Sequence, residues 1–418
     1  MKIKKTETGN KIQIYAIVSI IITLLYWGIM VLLRSSILTN YFVSDCHNTY
    51  MDYYNMLANL YDADHPYNNN SNYPAMCFLI WRVLFHMIPI NQDAADGFYL
   101  RNYMPAILGF ILCSIFVVWL TYEALQYVIK GEEIGKKLLA FSIIVSGPYI
   151  FALERGNIIV LSFALTLIFV ALYKSEKKYL RIVAYICLAV AASIKIYPAL
   201  FGLLMIKKSR IKEIVFTVAL GIITFIMPFF AFEGIKSVKD FLHGIRCANI
   251  SQGNQGTGLN YSLDNLIKII ENITKTDLEK YSGVILVCAV CFCLIIIFCC
   301  RHEWQRSFGV VLLIIWVPEL SYTYMLLFFS IPLILFLNEN GEKRLSCLDI
   351  GVLMSFMVIQ VPLALPSLGK YDIENAKFPL SWSTLLGNLV ILFIAVAVIV
   401  KSSKEIINSK KKLINRLQ

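Results

Sequence analysis

Twelve apolar segments recur along the chain, and most of them have the length of a membrane-spanning helix. About 20 apolar residues cross a bilayer, and fewer suffice when a helix packs inside a bundle. Hydrophobic residues make up 58% of the 418 residues and charged residues 16%, whereas a soluble domain has about 45–50% and about 25%. The pattern predicts an all-α polytopic membrane protein with about twelve transmembrane helices, at 12–33, 104–127, 138–153, 157–173, 180–194, 196–206, 213–232, 282–300, 307–320, 322–337, 347–366 and 382–400.

The distribution of Lys and Arg predicts how these helices are oriented. Connectors rich in Lys and Arg remain in the cytoplasm. We therefore predict a multi-pass protein of the plasma membrane with both termini in the cytoplasm. Most of the 38 basic residues lie on that side, in the connectors 1–11, 128–137, 174–181, 207–212, 301–306, 338–346 and 401–418.

The segment 75–90 is apolar but short, and it carries Arg82 and His86. We predict a helix that lies in the membrane interface, because this assignment keeps the basic connectors on one side. The chain is then a single integral-membrane domain that covers residues 1–418. It has a first outer loop at 34–103, a second large outer loop at 233–281 and a basic cytoplasmic tail at 401–418.

Two carboxylates, Asp45 and Asp52, follow the first span closely in the first outer loop. Apolar and aromatic residues recur at helical spacing from Met51 to Tyr61, which predicts a helix along the membrane surface. A carboxylate beside protein and lipid has the environment of a general base. The alternative is a solvated loop in which Asp45 is a helix cap, and spacing alone does not decide between the two.

Three further segments combine polar residues with a break between apolar runs. Glu-Arg-Gly-Asn at 154–157 predicts a tight helical hairpin with Gly156 as C-cap, although a Glu beside an Arg is more than a turn requires. Lys195 stands at a helix break made by Pro198. It is a functional candidate by its depth, and the alternative is a side chain that extends to the interface. The Gly- and amide-rich segment 250–263 predicts either a loop that folds over a polar ligand or a linker.

Missing motifs narrow the function further. The sequence contains no Walker A and no G-x-G-x-x-G motif, so we predict no nucleotide-binding site. It also contains no separate basic domain that could bind nucleic acid. His47, His65 and His243 show no metal-ligand spacing. We predict no cofactor, and we leave a divalent metal open as an alternative that the residues do not support. Cys46 and Cys247 lie in the two outer loops, where an oxidising compartment would allow a disulfide.

Taken in order, these features resemble those of a known family. The first outer loop is acidic and aromatic, and the later features are a hairpin, a helix that ends Ile-Lys-x-x-Pro and an Asn-x-Ser segment. The order is similar to that of the polyprenol-phosphate-mannose-dependent mannosyltransferases and, more broadly, of the bacterial integral-membrane glycosyltransferases of the GT-C superfamily. The resemblance covers about residues 45–265, and thereafter only Tyr322, Tyr324 and Pro332 are loosely similar.

The resemblance implies a GT-C-like helical bundle, embedded in membrane lipid, that uses a polyprenyl-phosphate-linked sugar as donor. A mannose-like hexose or a pentose would pass to a glycolipid or glycan acceptor at the outer membrane face. Such a donor has a good leaving group, so the enzyme needs a base for the acceptor hydroxyl and cations for the phosphate. Attack opposite the lipid phosphate would invert the anomeric configuration.

The family's residues are carried over by position. Its catalytic Asp corresponds to Asp45 or Asp52, which we expect to divide base and support roles. The family's Tyr-Pro-Pro is Tyr73-Pro74-Ala75 here, and its Gly-Gln-x-Asn hairpin is Glu-Arg-Gly-Asn. The cations available for the donor phosphate are Lys195, Arg155, Arg101 and Arg82, and the candidate substrate-binding residues are Tyr67, Tyr73, Glu154, Asn157, Asn260 and Ser262.

Two other classes of protein share parts of this pattern. A polysaccharide polymerase or ligase would have many spans and a large outer loop, but it would use a diphosphate-linked oligosaccharide. A non-enzymatic lipid-sugar transporter would need charged or broken helices at mid-depth in related halves. The polar residues here gather at one surface instead, which disfavours a transporter.

Overall fold

The structure is a computed structural model of the chain and describes residues 3–32, 49–61, 65–67, 71–87, 96–208, 210–253, 260–341, 343–361, 367–373 and 376–417. Helices dominate these ranges. Those of the first half are α1 (Ile3–Leu32), α2 (Met51–Asn59), α3 (Ala75–Met87), α4 (Gly97–Asn102), α5 (Met104–Val128), α6 (Glu133–Ile144), α7 (Gly147–Glu154), α8 (Ile159–Leu172) and α9 (Lys178–Ile194).

The second half continues with further α-helices and with short 3-10 helices between them. The α-helices are α10 (Ile211–Ile226), α11 (Ile235–Gly253), α12 (Leu263–Thr274), α13 (Ser282–Cys299), α14 (Glu303–Trp316), α15 (Ser330–Asn340), α16 (Cys347–Gln360) and α17 (Trp382–Leu417). The 3-10 helices are Tyr197–Lys208, Met227–Ala231, Glu279–Tyr281 and Thr323–Phe329.

Several helices have the length and composition of membrane spans. Each of the twelve predicted segments overlaps at least one helix, which confirms the multi-pass helical class. The segment 138–153 is divided between α6 and α7, and the number of crossings stays a prediction. In the described part of the chain, six helices qualify alone, and α6 with α7, bent by 51°, would be a seventh. The six are Lys11–Ile29, Met104–Val128, Ile211–Ala231, Glu279–Cys299, Thr323–Asn340 and Ser383–Glu405, and shorter apolar helices lie at Ile159–Leu172, Tyr197–Ile206 and Cys347–Gln360.

The bend between α6 and α7 and the end of α9 both occur next to proline. Pro148 stands at the start of α7, where its missing N–H leaves no hydrogen bond broken. Pro198 follows the end of α9, and the chain continues as a 3-10 helix instead of an α-helix. The predicted break at Lys195 is confirmed, since Lys195 has an extended backbone conformation with φ −139° and ψ 129°.

The centre of the bundle is α14, in which every residue from Trp304 to Trp316 is buried. A helix that is apolar all round is stable only when neighbours cover every face, and α13, α15 and the 3-10 helix Tyr197–Lys208 pack against it. Its one Arg, Arg306, donates to the carbonyl oxygens of Ile297 (2.8 Å) and Leu204 (3.1 Å). These bonds compensate for burial of the guanidinium.

Two β-strands depart from the all-α prediction. Strands β1 (Ser367–Ile373) and β2 (Ala376–Ser381) pair antiparallel, with an irregular register between Ser367 and Gly369. In the sequence analysis this region is the connector between the last two predicted helices, at 347–366 and 382–400. It is too polar for a span, and Tyr371, Ile373 and Phe378 are residue types that favour strands.

Hydrogen bonds between connectors define two ends of the bundle. At the first, which we call the basic end, Lys11 Nζ donates to the Lys343 carbonyl and Asn338 Nδ2 to the Val128 carbonyl. Helix α8 runs from the other end, the hairpin end, to the basic end. There Tyr173, which follows α8, hydrogen-bonds to Glu303 at the start of α14. The hairpin end holds residues 154–157.

Candidate active site

The hairpin 154–157 packs against the start of α2. The backbone N–H groups of Tyr50 and Asp52 donate to the carbonyls of Glu154 (2.7 Å) and Arg155 (3.0 Å). Arg155 is the C-cap of α7 and Gly156 follows it with φ +65°, so the structure has the predicted left-handed glycine at this helix end, one position after the cap. A Cβ at Gly156 would lie 2.9 Å from Tyr53 Cβ, so only glycine permits both this turn and this close approach.

The Asp52 carboxylate is held by two side chains of the hairpin. Arg155 Nη2 donates to Asp52 Oδ1 at 2.7 Å, and Asn157 Nδ2 donates to Asp52 Oδ2 at 2.8 Å. The side chain of Asp52 is 14% exposed and that of Arg155 28%. The pair is therefore shielded but reachable from the hairpin end, as a reacting group must be.

Tyr73 and Lys195 extend this site. Lys195 is 9% exposed, and its Nζ lies 4.1 Å from the centroid of the Tyr73 ring, a cation–π contact. No carboxylate of the described residues pairs with this ammonium. Asn157 Nδ2 reaches the Tyr73 hydroxyl at 3.5 Å, so Asn157 links the carboxylate to the Lys195 side of the site.

Burial and the nearby Asp52 charge raise the pKa of Tyr73 well above its usual value. Its hydroxyl is therefore neutral at physiological pH and can donate a hydrogen bond. The Tyr73 backbone is fixed by Tyr67, whose hydroxyl donates to the Tyr73 carbonyl at 3.1 Å. Tyr67 stacks on Phe229 in an aromatic cluster, so Tyr67 supports Tyr73 instead of facing the carboxylate.

Tyr322 and Tyr324 form a second wall of the site. Their ring centroids are 5.7 Å apart, and Tyr324 stacks on Phe151 of α7 at 5.9 Å. Tyr324 interacts electrostatically with the Arg155 guanidinium, which places this pair of rings beside the ion pair. The sequence analysis gives these tyrosines no role, although two tyrosines at the start of a predicted span could have indicated them.

Asn260 fixes the segment that carries Tyr322. Its Oδ1 accepts from the N–H groups of Ser262 (3.0 Å) and Ser321 (2.8 Å), and its Nδ2 donates to the Glu319 carbonyl at 2.8 Å. The amide of Asn260 is thus bonded to backbone on both sides. Ser262 accepts from Asn265 N–H at 3.1 Å as the N-cap of α12. Both residues position the site instead of lining its centre.

Three other predicted site residues, Arg82, Arg101 and Glu154, make neither a hydrogen bond nor an ion pair with the Asp52 carboxylate. Arg82 donates to the Ala231 carbonyl at 3.2 Å and lies over the Phe232 ring. Arg101 interacts electrostatically with Tyr54 of α2. Glu154 belongs to the hairpin, and its buried Oε2 has no hydrogen-bond partner among the described residues.

Two earlier expectations concern residues without a described position. Asp45 and Cys46 lie outside the described residues, so the structure bears only on Asp52 as the base. Cys247 lies 3.4 Å from His243 Nε2. Within the described ranges, no three His, Cys, Asp or Glu side chains are arranged to hold a metal ion.

A helical membrane protein with a carboxylate, cations and tyrosines gathered at one end of its bundle has the features of an integral-membrane glycosyltransferase. The sequence matches the model of glycosyltransferase family 87 over residues 87–317. This is more than half of the chain, and the protein therefore belongs to that family, which confirms the predicted transferase class. Searches of curated proteins and of solved structures give no significant match.

Proposed function

We propose that this glycosyltransferase moves a hexose, mannose-like, or a pentose from a polyprenyl-phosphate donor to a glycolipid or glycan acceptor. The observation that carries the proposal is the Asp52 carboxylate held by Arg155 and Asn157 beside the Lys195 ammonium. A fixed carboxylate suits a general base for a hydroxyl. The Lys195 cation, which lies over the Tyr73 ring and is linked to the carboxylate through Tyr73 and Asn157, suits the leaving phosphate.

In the proposed reaction, Asp52 takes the proton of the acceptor hydroxyl while the hydroxyl oxygen attacks the anomeric carbon. The bond between that carbon and the phosphate oxygen breaks, and the electron pair leaves with the lipid phosphate. The attack occurs opposite the leaving group, so the anomeric configuration inverts. The proton remains on Asp52 until it passes to water.

Lys195 is the group we assign to the phosphate. Its side chain is buried, it lies over the Tyr73 ring, and no anion of the described residues pairs with it. A buried cation without a counter-ion favours an anionic ligand. The neutral Tyr73 hydroxyl can donate to the same phosphate, while Arg155 keeps Asp52 in place.

We also propose that the reaction occurs on the extracytoplasmic side of the plasma membrane. The supporting argument is the position of the site at the hairpin end, away from the basic end where Lys11, Lys343 and Lys401 lie. Basic connectors stay in the cytoplasm. A donor presented at the outer leaflet would then meet Lys195 directly.

The test is transfer by the purified protein in detergent or vesicles. The protein is incubated with a panel of polyprenyl-phosphate sugars and a membrane-lipid extract as acceptor, and release of free polyprenyl phosphate is measured. We expect release with at least one monophosphate donor and none from donors linked through a diphosphate. Turnover of diphosphate-linked oligosaccharides alone would instead identify a polymerase or ligase, and movement of lipid-linked sugar between leaflets without release would identify a transporter.

A further inference from the structure

Helix α11 begins directly after a candidate membrane span. That span, Ile211–Ala231, starts at the basic end. There the Arg181 guanidinium donates to Glu213 Oε1 at 2.8 Å. The span therefore ends at the hairpin end, where Gly234, with φ +62°, turns the chain into α11. A helix that starts at this point lies at the level of the lipid headgroups.

One face of α11 is anchored to the bundle. Ser237, Phe241 and Gly244 are buried, and their spacing of three and four residues places them on one side of the helix. The Phe241 ring packs against Phe229, with ring centroids 5.5 Å apart, and against Tyr67 at 6.2 Å. These contacts fix the rotation of α11 about its axis, so the opposite face points away from the bundle.

The opposite face combines cations with apolar side chains. Ile235 and Leu242 are 67% and 58% exposed and recur seven residues apart. Asp240, the single acidic residue in the sequence of α11, is half-buried at the edge of this face. Apolar side chains among cations are typical of helices that lie on an anionic membrane surface. The exposed residues of this face are Ile235, Lys236, Lys239, Leu242, His243 and Arg246.

The charges of this face indicate which headgroup fits it. Lys236 donates to the Glu233 carboxylate at 2.7 Å, so this cation is already compensated. No carboxylate within the described ranges pairs with Lys239 or Arg246, which lie seven residues apart on the same side of the helix. A zwitterionic headgroup offers these two cations no net attraction, whereas an anionic headgroup does.

We infer that the exposed face of α11 is a binding surface for anionic phospholipids of the bilayer. Ile235 and Leu242 insert among the acyl chains, while Lys239 and Arg246 contact the phosphates. The lipid bound there is a component of the membrane and not a substrate. The surface therefore does not depend on which sugar the protein transfers.

A photoreactive lipid measures binding at this surface. The purified protein is placed in nanodiscs of phosphatidylcholine that contain a small fraction of phosphatidylglycerol with a diazirine near its headgroup. After illumination, mass spectrometry of proteolytic peptides gives the amount of label on α11. Unlabelled phosphatidylglycerol, additional phosphatidylcholine and inorganic phosphate are compared as competitors.

Two double variants test the charges. Lys239→Gln/Arg246→Gln removes the two cations that have no carboxylate partner. Lys275→Gln/Lys280→Gln is the matched control, since it removes the same charge from two exposed positions of the same outer loop. The segment 275–280 has no net charge, and Lys280 lies 3.5 Å from the Asp277 carboxylate, so this segment should not attract anionic lipid. Size-exclusion chromatography checks the folding of both variants.

In the parent, we expect label on α11 that decreases with unlabelled phosphatidylglycerol and with added salt. Phosphatidylcholine and inorganic phosphate should leave it unchanged. Each cation near an anionic surface changes the attraction about fivefold. The variant Lys239→Gln/Arg246→Gln should therefore carry about tenfold less label or even less, while the control variant should be labelled like the parent.

Four results would overturn the inference. Two concern the variants: equal labelling of the parent and Lys239→Gln/Arg246→Gln, or an equal loss of label in the control variant. The others concern the competitors, since competition by phosphatidylcholine would exclude a preference for charge and competition by inorganic phosphate would indicate a site for a soluble anion. Labelling is measured without a sugar donor, so these outcomes are independent of whether the protein releases polyprenyl phosphate.

Discussion

Replacement of Asp52 by Asn tests the assignment of the base most directly. Asn keeps the size of Asp but replaces one carboxylate oxygen by an NH2 group, which must then face either Arg155 or Asn157. Both of these residues donate to Asp52, at 2.7 and 2.8 Å. One of the two hydrogen bonds is therefore lost, at a cost of about 1.5–3 kcal/mol in folding free energy for a bond to a charged group.

The effect on the rate is larger and has a different cause. Loss of a general base lowers the rate about 100- to 10,000-fold, which corresponds to about 2.7–5.4 kcal/mol in the activation barrier. The assay is single-turnover release of polyprenyl phosphate, expressed per mole of folded protein. This normalisation separates the rate effect from the loss of stability.

Asp96→Asn is the matched control for this variant. Asp96 belongs to the first outer loop like Asp52, but it lies just before α4, where its side chain accepts from Phe98 N–H as the N-cap. Asn caps helices as well as Asp does, so turnover should be unchanged. Asp45→Asn is measured in parallel. Turnover of Asp52→Asn within about tenfold of the parent would refute the reasoning, and loss of activity in Asp45→Asn alone would assign the base to Asp45.

Three further variants test other parts of the site and the fold. Lys195→Met should lower phosphate release about 100-fold or more while Lys195→Arg retains a measurable part; equal activity of Lys195→Met and the parent would remove Lys195 from the site. Gly156→Ala should lower the yield of folded protein and its melting temperature, because the left-handed backbone costs about 1–2 kcal/mol and the new Cβ meets Tyr53; an unchanged melting temperature would contradict the close packing. His302 forms a hydrogen bond to Glu339, and this bond raises the pKa of His302. The bond of the protonated His302 therefore stabilises the fold at low pH, and this contribution to the free energy of unfolding is lost as the pH rises through the raised pKa. Thermal melts should therefore show stability falling as the pH rises above about 6.5, the ordinary pKa of histidine, and His302→Gln should flatten that dependence; an unchanged pH profile would exclude this hydrogen bond.

Local features of the site could be predicted from the sequence because they depend on neighbouring residues. The Gly156 turn follows from the need for a left-handed residue between two helices, and the end of α9 at Lys195 follows from Pro198. The helix α2 follows from its apolar periodicity. The membrane class follows from hydropathy alone.

The partners of Asp52 could not be predicted in the same way. Arg155 and Asn157 are 103 and 105 residues away along the chain, and no spacing rule relates such positions. The sequence analysis assigns Arg155 to the donor phosphate, whereas the structure pairs it with Asp52. Tyr322 reaches the site only because Asn260 bonds the Glu319–Ser321 backbone, which is a tertiary contact.

The site therefore depends on how segments separated in sequence pack together. The range that matches the family model contains only some of these segments. Residues 87–317 include the hairpin, Lys195 and Asn260, but Asp52 and Tyr73 precede this range and Tyr322 follows it. Asn157 joins the matched and unmatched parts, since it bonds to Asp52 and reaches Tyr73. A change that distorts the hairpin should therefore reduce activity by displacing the carboxylate, even when Asp52 itself is intact.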